Sequence, residues 1–320
     1  IRVSDNSYTN KFAMPNITVR EDGNPIISYM ECLPNWTDWK QIVRTSFDFG
    51  QTFSAAVDVS ALAPGEPCDC CQSTMVTEGN DDVFLLFRND DNNVRNSYIA
   101  KSIDGGLSFI DTQDLDDVNW ILTSCPTSSP VGAIYEDSIM VVRRSGGTGV
   151  NEIYKSNVHM VDLQKSYFTQ VDAISSGLQD KVEITFGNFG GGVFVTVWEE
   201  NRNGNKECFY SVIGSDGKSL CNGVISDTAD SGHKLKPDIA YGGPFMGDFS
   251  VVYSASTAKE VRFLFSPLMH VNAINEASNF GDKKLLKSVN LLGKTVIPES
   301  NKPFINIYND GSVERKIVVE

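Results

Sequence analysis

Ser46-Phe47-Asp48-Phe49-Gly50-Gln51-Thr52-Phe53 and Ser102-Ile103-Asp104-Gly105-Gly106-Leu107-Ser108-Phe109 are two copies of one pattern, Ser-x-Asp-x-Gly-x-x-Phe. They stand about 56 residues apart, which is the scale of a structural repeat. Each copy follows a short β-rich run, Gln41–Thr45 and Ser97–Lys101. Asp at the third position suits a turn, because its carboxylate accepts hydrogen bonds from backbone N–H groups just ahead of it. The Gly supplies a backbone angle that other residues resist. The closing aromatic is suited to packing between neighbouring sheets. A degenerate third copy is Ser215-Asp216-Gly217-Lys218-Ser219-Leu220, whose Asp216 lies two such periods after Asp104.

Outward from these turns the chain shows short β-rich runs and no sustained helical period. The clearest are Asn16–Arg20, Pro25–Tyr29, Gln41–Thr45, Val83–Arg88, Ser97–Lys101, Ser138–Arg143, Val193–Trp198, Phe209–Ile213, Phe249–Tyr253, Val261–Phe265 and Pro303–Tyr308. A small or polar residue opens a unit at Pro15, Ser73, Ser129, Lys181, Pro237 and Pro303, at intervals of about 52–66 residues. A repeat of roughly 50 residues holding four strands is a propeller blade. The reading is an all-β, six-bladed β-propeller with four-stranded antiparallel blades, one domain over residues 1–320. The last unit is short, and Ile1–Ser4 is the expected strand that completes it. A pair of β-sandwiches is the competing arrangement.

The two turns and the layout of the first unit resemble the bacterial Asp-box (BNR-repeat) sialidase-like propellers. The layout runs Phe12-Ala13-Met14-Pro15, strand, Asp22-Gly23-Asn24, strand Ile26–Met30, loop Glu31–Asp38, strand, turn. The resemblance implies that Asp38 falls where that family places its acid/base Asp. It also exposes a departure. Sialidases grip a carboxylate with three arginines, since bidentate Arg–carboxylate pairs are strong and directional. Ala13 stands where the first arginine belongs, and Glu31-Cys32 where the second does. A true exo-sialidase is therefore not expected. Pro67-Cys68-Asp69-Cys70-Cys71, Phe87-Arg88-Asn89-Asp90, Asn93-Val94-Arg95 and Cys125-Pro126 also resemble a set in sialidase-like proteins of environmental bacteria, especially Bacteroidetes. That likeness implies a secreted habitat and no particular reaction.

Composition narrows the class. The net charge of −14 and the absence of a Lys/Arg run exclude a general nucleic-acid binder. No stretch approaches the roughly 18 apolar residues of a membrane span. The chain starts at Ile1 without Met, and its seven cysteines suit an oxidising compartment. A secreted or cell-surface location is expected.

Several constellations compete for the functional role. Cys68, Cys70, Cys71 and Cys125 precede the first strands of two adjacent blades and are expected to meet, either as disulfides or as a soft site for copper or zinc. Cys208 and Cys221 flank the Ser215-Asp216-Gly217 turn and are expected to form a disulfide, leaving Cys32 over. Arg88, Arg95, Arg143 and Arg202 lie at or just past the ends of second strands, where they can hold an anionic or sugar ligand. Asp90 and Asp91 can hold calcium, which prefers oxygen donors, or simply form a polar turn. Trp36 and Trp39 offer faces for stacking on sugar, and Trp39 equally suits packing between blades. Asp38, Glu31 and Glu199 are the carboxylates available to a hydrolase, which needs a pair about 5–10 Å apart.

Three functions follow from these readings. The first is a propeller that binds a carbohydrate or cell-surface ligand. The second is a glycoside hydrolase with a rebuilt site. The third is an extracellular metal-binding protein built on the cysteines.

Overall fold

In a computed structural model of the chain, residues 2–4, 9–172, 177–188, 192–201, 204–226, 232–242, 248–256, 260–267, 285–289, 295–299, 302, 304–308 and 313–316 are described. Among them the regular structure is all strand, apart from one 3-10 turn at Ser60–Leu62. They fall into two compact units, residues 1–171 and residues 172–320.

The first unit holds three sheets. β1 (Lys11–Val19), β2 (Pro25–Cys32), β3 (Lys40–Thr45) and β4 (Val57–Asp58) form the first, hydrogen-bonded in chain order. In the second, β5 (Glu66–Pro67) and β6 (Thr74–Glu78) both pair with β7 (Asp82–Asp90), which is followed by β8 (Ser97–Ser102) and β9 (Asp111–Asp114). β5 and β6 are two halves of one interrupted strand, since Pro67 faces Asn89 and Thr74 faces Leu86. The third sheet is β10 (Val131–Tyr135), β11 (Ser138–Ser145), β12 (Glu152–His159) and β13 (Thr169–Gln170). Each sheet is an antiparallel meander with four strand positions, the unit from which β-propellers are built.

The second unit repeats the plan. β14 (Leu178–Gly187), β15 (Val193–Asn201), β16 (Lys206–Gly214) and β17 (Ser219–Val224) form the fourth sheet. The fifth begins with β18 (Lys234–Tyr241), β19 (Asp248–Ala255) and β20 (Glu260–Pro267). It continues through β21 (Leu285–Val289), β22 (Phe304–Tyr308) and β23 (Val313–Lys316), in the order β20-β23-β22-β21. The described residues thus give five sheets, the last one six-stranded. The segment expected to start a sixth sheet is joined to the fifth, where Arg262 faces Lys316. Pro303 lies outside the described residues. Arg2–Ser4 carry no strand.

The first strands share a bend. In β1, Ala13 faces Met30 and Asn16 faces Ser28, so Met14 and Pro15 together oppose one residue. β14 does the same between Asp180 and Glu183, and β18 between Leu235 and Asp238. These are β-bulges. At each, a non-glycine residue takes a left-handed backbone: Met14 (φ 51°), Lys181 (φ 51°) and Lys236 (φ 52°). Thr127 (φ 47°), four residues ahead of β10, is also left-handed. In the second sheet the bulge has grown into the excursion Cys68–Ser73 between β5 and β6.

The two Ser-x-Asp-x-Gly turns are built alike. Asp48 Oδ1 accepts the Ser46 hydroxyl at 2.8 Å and the Thr52 N–H at 2.7 Å, and Oδ2 accepts the Thr52 hydroxyl at 2.6 Å. Asp104 makes the same three bonds with Ser102 and Ser108, at 2.8, 2.9 and 2.6 Å. Gly50 (φ 84°) and Gly106 (φ 87°) supply the left-handed corner, and each donates its N–H to the turn's serine hydroxyl. Asp216 keeps part of the plan, accepting the Lys218 N–H at 3.0 Å.

Bonds that span one period fasten neighbouring sheets. Thr77 donates to the Val19 carbonyl, Thr45 to that of Gly105, Thr74 to that of Pro130 and Lys101 to that of Val161. Apolar clusters fill the space between. Ile26 and Val43 meet Val83, Leu85 and Phe87, with Phe109 closing the cluster. Phe84, Leu86 and Ile99 meet Ile139, Val141 and Val158. In the second unit Val193, Val195 and Val197 meet Ile239 and Val251. Each fully buried side chain of this kind contributes about 1.5–3 kcal/mol.

Candidate functional site

The bulged end of the first unit carries its most unusual chemistry, because the excursion Cys68–Ser73 replaces a simple bulge there. The Cys68 N–H donates to the Arg88 carbonyl at 2.8 Å, and a turn closes from the Cys71 N–H to the Cys68 carbonyl at 3.0 Å. This folds the C-x-x-C segment back on itself. Cys70 is disulfide-bonded to Cys125, which leads into the third sheet. Cys68 and Cys71 are free and buried, with their sulfurs 3.3 Å apart. The Cys70 sulfur is 3.4 Å from that of Cys68 and 3.8 Å from that of Cys71. The four expected cysteines therefore do meet.

Their protonation is uneven. The hydrogen bond donated by Cys68 pulls the Cys71 thiol down to about 7, against the opposing effect of burial, with help from the Arg88 and Arg95 charges and a Ser128 N–H. Cys68 moves the other way, through that same hydrogen bond and through burial. Cys68, Cys70 and Cys71 lie close enough to ligate one soft ion. In the structure the Cys70 donor is engaged by Cys125.

The arginines expected to greet a ligand are turned inward. Arg88 is 1% exposed. Its Nε donates to the Ser128 carbonyl at 3.2 Å, its Nη2 to that of Arg144 at 2.8 Å, and its Nη1 to that of Arg95. Arg143 is fully buried, with its guanidinium bonded to Asp116 at 3.1 Å, to the Ser156 hydroxyl and to the Leu115 carbonyl. Arg95 joins Asp90 at 2.9 Å, donates to the Leu122 carbonyl at 3.2 Å, and places Nη1 3.4 Å from the Cys68 sulfur. Backbone carbonyls take the Arg88 donors, while a carboxylate, a hydroxyl and one carbonyl take those of Arg143. Arg88 and Arg143 are structural clamps rather than ligand grips. Asp90 also accepts the Asn93 N–H, and Asp91 the Asn92 amide, which makes this stretch a polar turn. Arg202 lies outside the described residues.

The aromatic loop after β2 stands at the same end of the first sheet as the β1 bulge. Trp36 is 58% exposed on a left-handed backbone (φ 65°), with Lys11 Nζ 3.8 Å from its ring centre. Trp39 is buried with Met30 and Cys32. Of the two faces expected to meet sugar, only Trp36 is open. Asp38 is exposed (φ 57°) and pairs with Lys40 at 3.5 Å, while Glu31 accepts the Asn10 amide at 2.5 Å.

Glu199 belongs to the second unit and is 3% exposed. It is ion-paired with Lys206 and accepts the Lys236 N–H at 3.1 Å, so it holds the β18 bulge in place. Cys208 and Cys221 are both free thiols. The ladder sets Cys221 opposite Val212, further along β16 from Cys208. At about 3.3 Å per residue that offset is about 13 Å, too far for the expected bridge.

Sequence reading missed one pair. Glu183 and Asp238 leave the β14 and β18 bulges at the same register position. Burial, then the charge of Asp238, pushes the Glu183 carboxyl up to about 7. The available signal was the repeat Lys181-Val182-Glu183 and Lys236-Pro237-Asp238, one period apart.

Solved structures share this architecture. An α-L-arabinofuranosidase from Fusarium graminearum matches with a TM-score of 0.53 and 11% identity, over 96% of this chain and 93% of that one. The α-L-arabinanase of Penicillium chrysogenum, solved with arabinobiose, matches at 0.51 and 10%, over 95% and 92%. A Dyadobacter fermentans protein of unknown function matches at 0.53 and 11%, over 97% and 95%. The likeness is one of fold. No protein-family model matches the chain, and no curated protein matches its sequence. No helix among the described residues is long and apolar enough to cross a membrane.

Proposed function

We propose that residues 1–320 form one exported propeller of the sialidase-like, Asp-box kind that recognises a glycan without the sialidase arginine set. The observation that carries this reading is Trp36, a large aromatic face held open at the bulged end of the first sheet. A flat apolar ring with the Lys11 cation over one face suits a sugar, whose C–H face stacks on the indole while its hydroxyls accept from Lys11. The fold it shares with glycan-active enzymes lends support. Glycan-array binding tests it. Trp36→Ala weakens the signal roughly two- to tenfold, from the loss of one aromatic contact, and leaves the melting temperature nearly unchanged because most of the ring faces solvent. An array silent for the wild-type protein would sink the reading.

The Glu183–Asp238 pair favours a second reading, a glycoside hydrolase. A protonated Glu183 is suited to act as general acid on a leaving oxygen, with Asp238 as its partner. Release of reducing sugar from plant arabinans, lost in Glu183→Gln, tests this. No release across a broad polysaccharide panel would leave binding as the function.

A further inference from the structure

Four sulfurs crowd one point between the second and third sheets, and they are in two redox states. The Cys70–Cys125 bridge faces outward, with Cys125 exposed and Cys70 half-buried. The thiols of Cys68 and Cys71 lie beneath it, out of solvent. The Cys68 sulfur sits 3.4 Å from the bridge sulfur of Cys70. C-x-x-C thiols beside arginine are the setting in which thiolates form near neutral pH. Arg88 and Arg95 flank this pair, with Arg95 itself tied to Asp90.

We propose that Cys68, Cys71, Cys70 and Cys125 form a thiol–disulfide exchange site whose buried dithiol reduces the outer bridge and presents Cys125 as a thiol to external disulfides. The steps need no outside reductant. The Cys71 thiolate takes the proton that Cys68 already directs at it. The Cys68 thiolate attacks the Cys70 sulfur, forming a Cys68–Cys70 bond and breaking Cys70–Cys125. Cys125 leaves as a thiolate and is protonated from solvent. The Cys71 thiol gives a proton back to solvent and attacks Cys68, forming the Cys68–Cys71 disulfide and expelling Cys70 as a thiolate. Two electrons pass from the inner pair to the outer pair, and one bridge replaces another. The exchange also removes the covalent tie between the sheets.

Trapping tests this independently of any glycan. Protein purified without reductant is treated in its native state with iodoacetamide, quenched in acid, digested unreduced and mapped by mass. The expected map has Cys125 and Cys70 alkylated and an internal disulfide joining Cys68 to Cys71. Added glutathione disulfide is expected to form its mixed disulfide on Cys125. In Cys68→Ser and Cys71→Ser, Cys125 labelling falls to background, while Cys208→Ser behaves as wild type. If wild-type Cys125 stays bridged to Cys70 throughout, the proposal fails. It fails equally if copper or zinc copurifies at one ion per chain and shields Cys68 and Cys71. The wild-type map decides the matter even if a serine variant does not fold.

Discussion

Arg88 Nη2 donates to the backbone carbonyl of Arg144 at 2.8 Å, one full period further along the chain. With its bonds to the Ser128 and Arg95 carbonyls, this makes one buried side chain the joint of two loops and the end of β11. Arg88→Met keeps the volume and removes every donor. Buried carbonyls left without a partner cost about 1–3 kcal/mol each, so the variant should lose about 3 kcal/mol or more in urea unfolding. Lys218→Met, at an exposed ion pair, should leave the midpoint where it is. Equal midpoints for wild type and Arg88→Met would show that the clamp is dispensable.

The turn aspartates predict an acid sensitivity. Thr52 hydrogen bonds hold the Asp48 carboxyl below the usual carboxylate range. At Asp104 burial pulls upward, but the bonds from Ser108, Ser102 and Leu107 outweigh it and the net shift is again downward. A lowered folded value means the stabilisation is present above the unfolded value and lost as pH falls through the folded one. Wild-type stability should therefore drop below about pH 4. Asp104→Asn should be weaker at pH 7 and show a shallower acid loss. A pH slope in Asp104→Asn as steep as in wild type would contradict this account.

Glu183 runs the other way. Its carboxyl is raised to about 7, so the folded state favours the protonated form. That contribution is complete below the unfolded value and disappears as pH climbs toward 7. Glu183→Gln should then be more stable than wild type at pH 8, by about 1–3 kcal/mol, and little changed at pH 4. Thermal unfolding at both values checks the crossover. Any hydrolytic activity should fall on the alkaline side of about 7, as the acid form is lost.

Thiol counting tests the cysteine assignments. Cys32, Cys68, Cys71, Cys208 and Cys221 are free, so denatured, unreduced protein should titrate as five thiols. Exchange between the inner and outer pairs conserves that number. Three thiols would mean a second bridge, whether at Cys208 and Cys221 or elsewhere.

Much of the fold was legible because it rests on local chemistry. The described residues of all eleven β-rich runs quoted above fall on strands, with Asn16–Arg20 overrunning its strand by one residue at an end. The spacing of Asp48 and Asp104 marks equivalent turns. What escaped was set by partners far along the chain. Met14, Lys181 and Lys236 share a left-handed backbone at their bulges, yet none is a glycine or asparagine that would mark it in the sequence. The Arg88 bonds go to backbone carbonyls, which leave no trace in a sequence, and Arg143 finds Asp116 and Ser156 at distances along the chain that no local pattern marks. Cys208 and Cys221 flank a turn, but their register in the ladder decides that they cannot touch.

Five of the bonds between successive sheets have a property beyond their strength. At Val19, Gly105, Pro130, Arg144 and Val161 the accepting group is a carbonyl of the main chain, present whatever residue stands there. Only the donor's identity is under constraint. One half of each joint is therefore immune to substitution, and a repeat can drift almost without limit on that side while still docking its neighbour. An architecture fastened this way can keep its shape long after its sequence has ceased to resemble any relative.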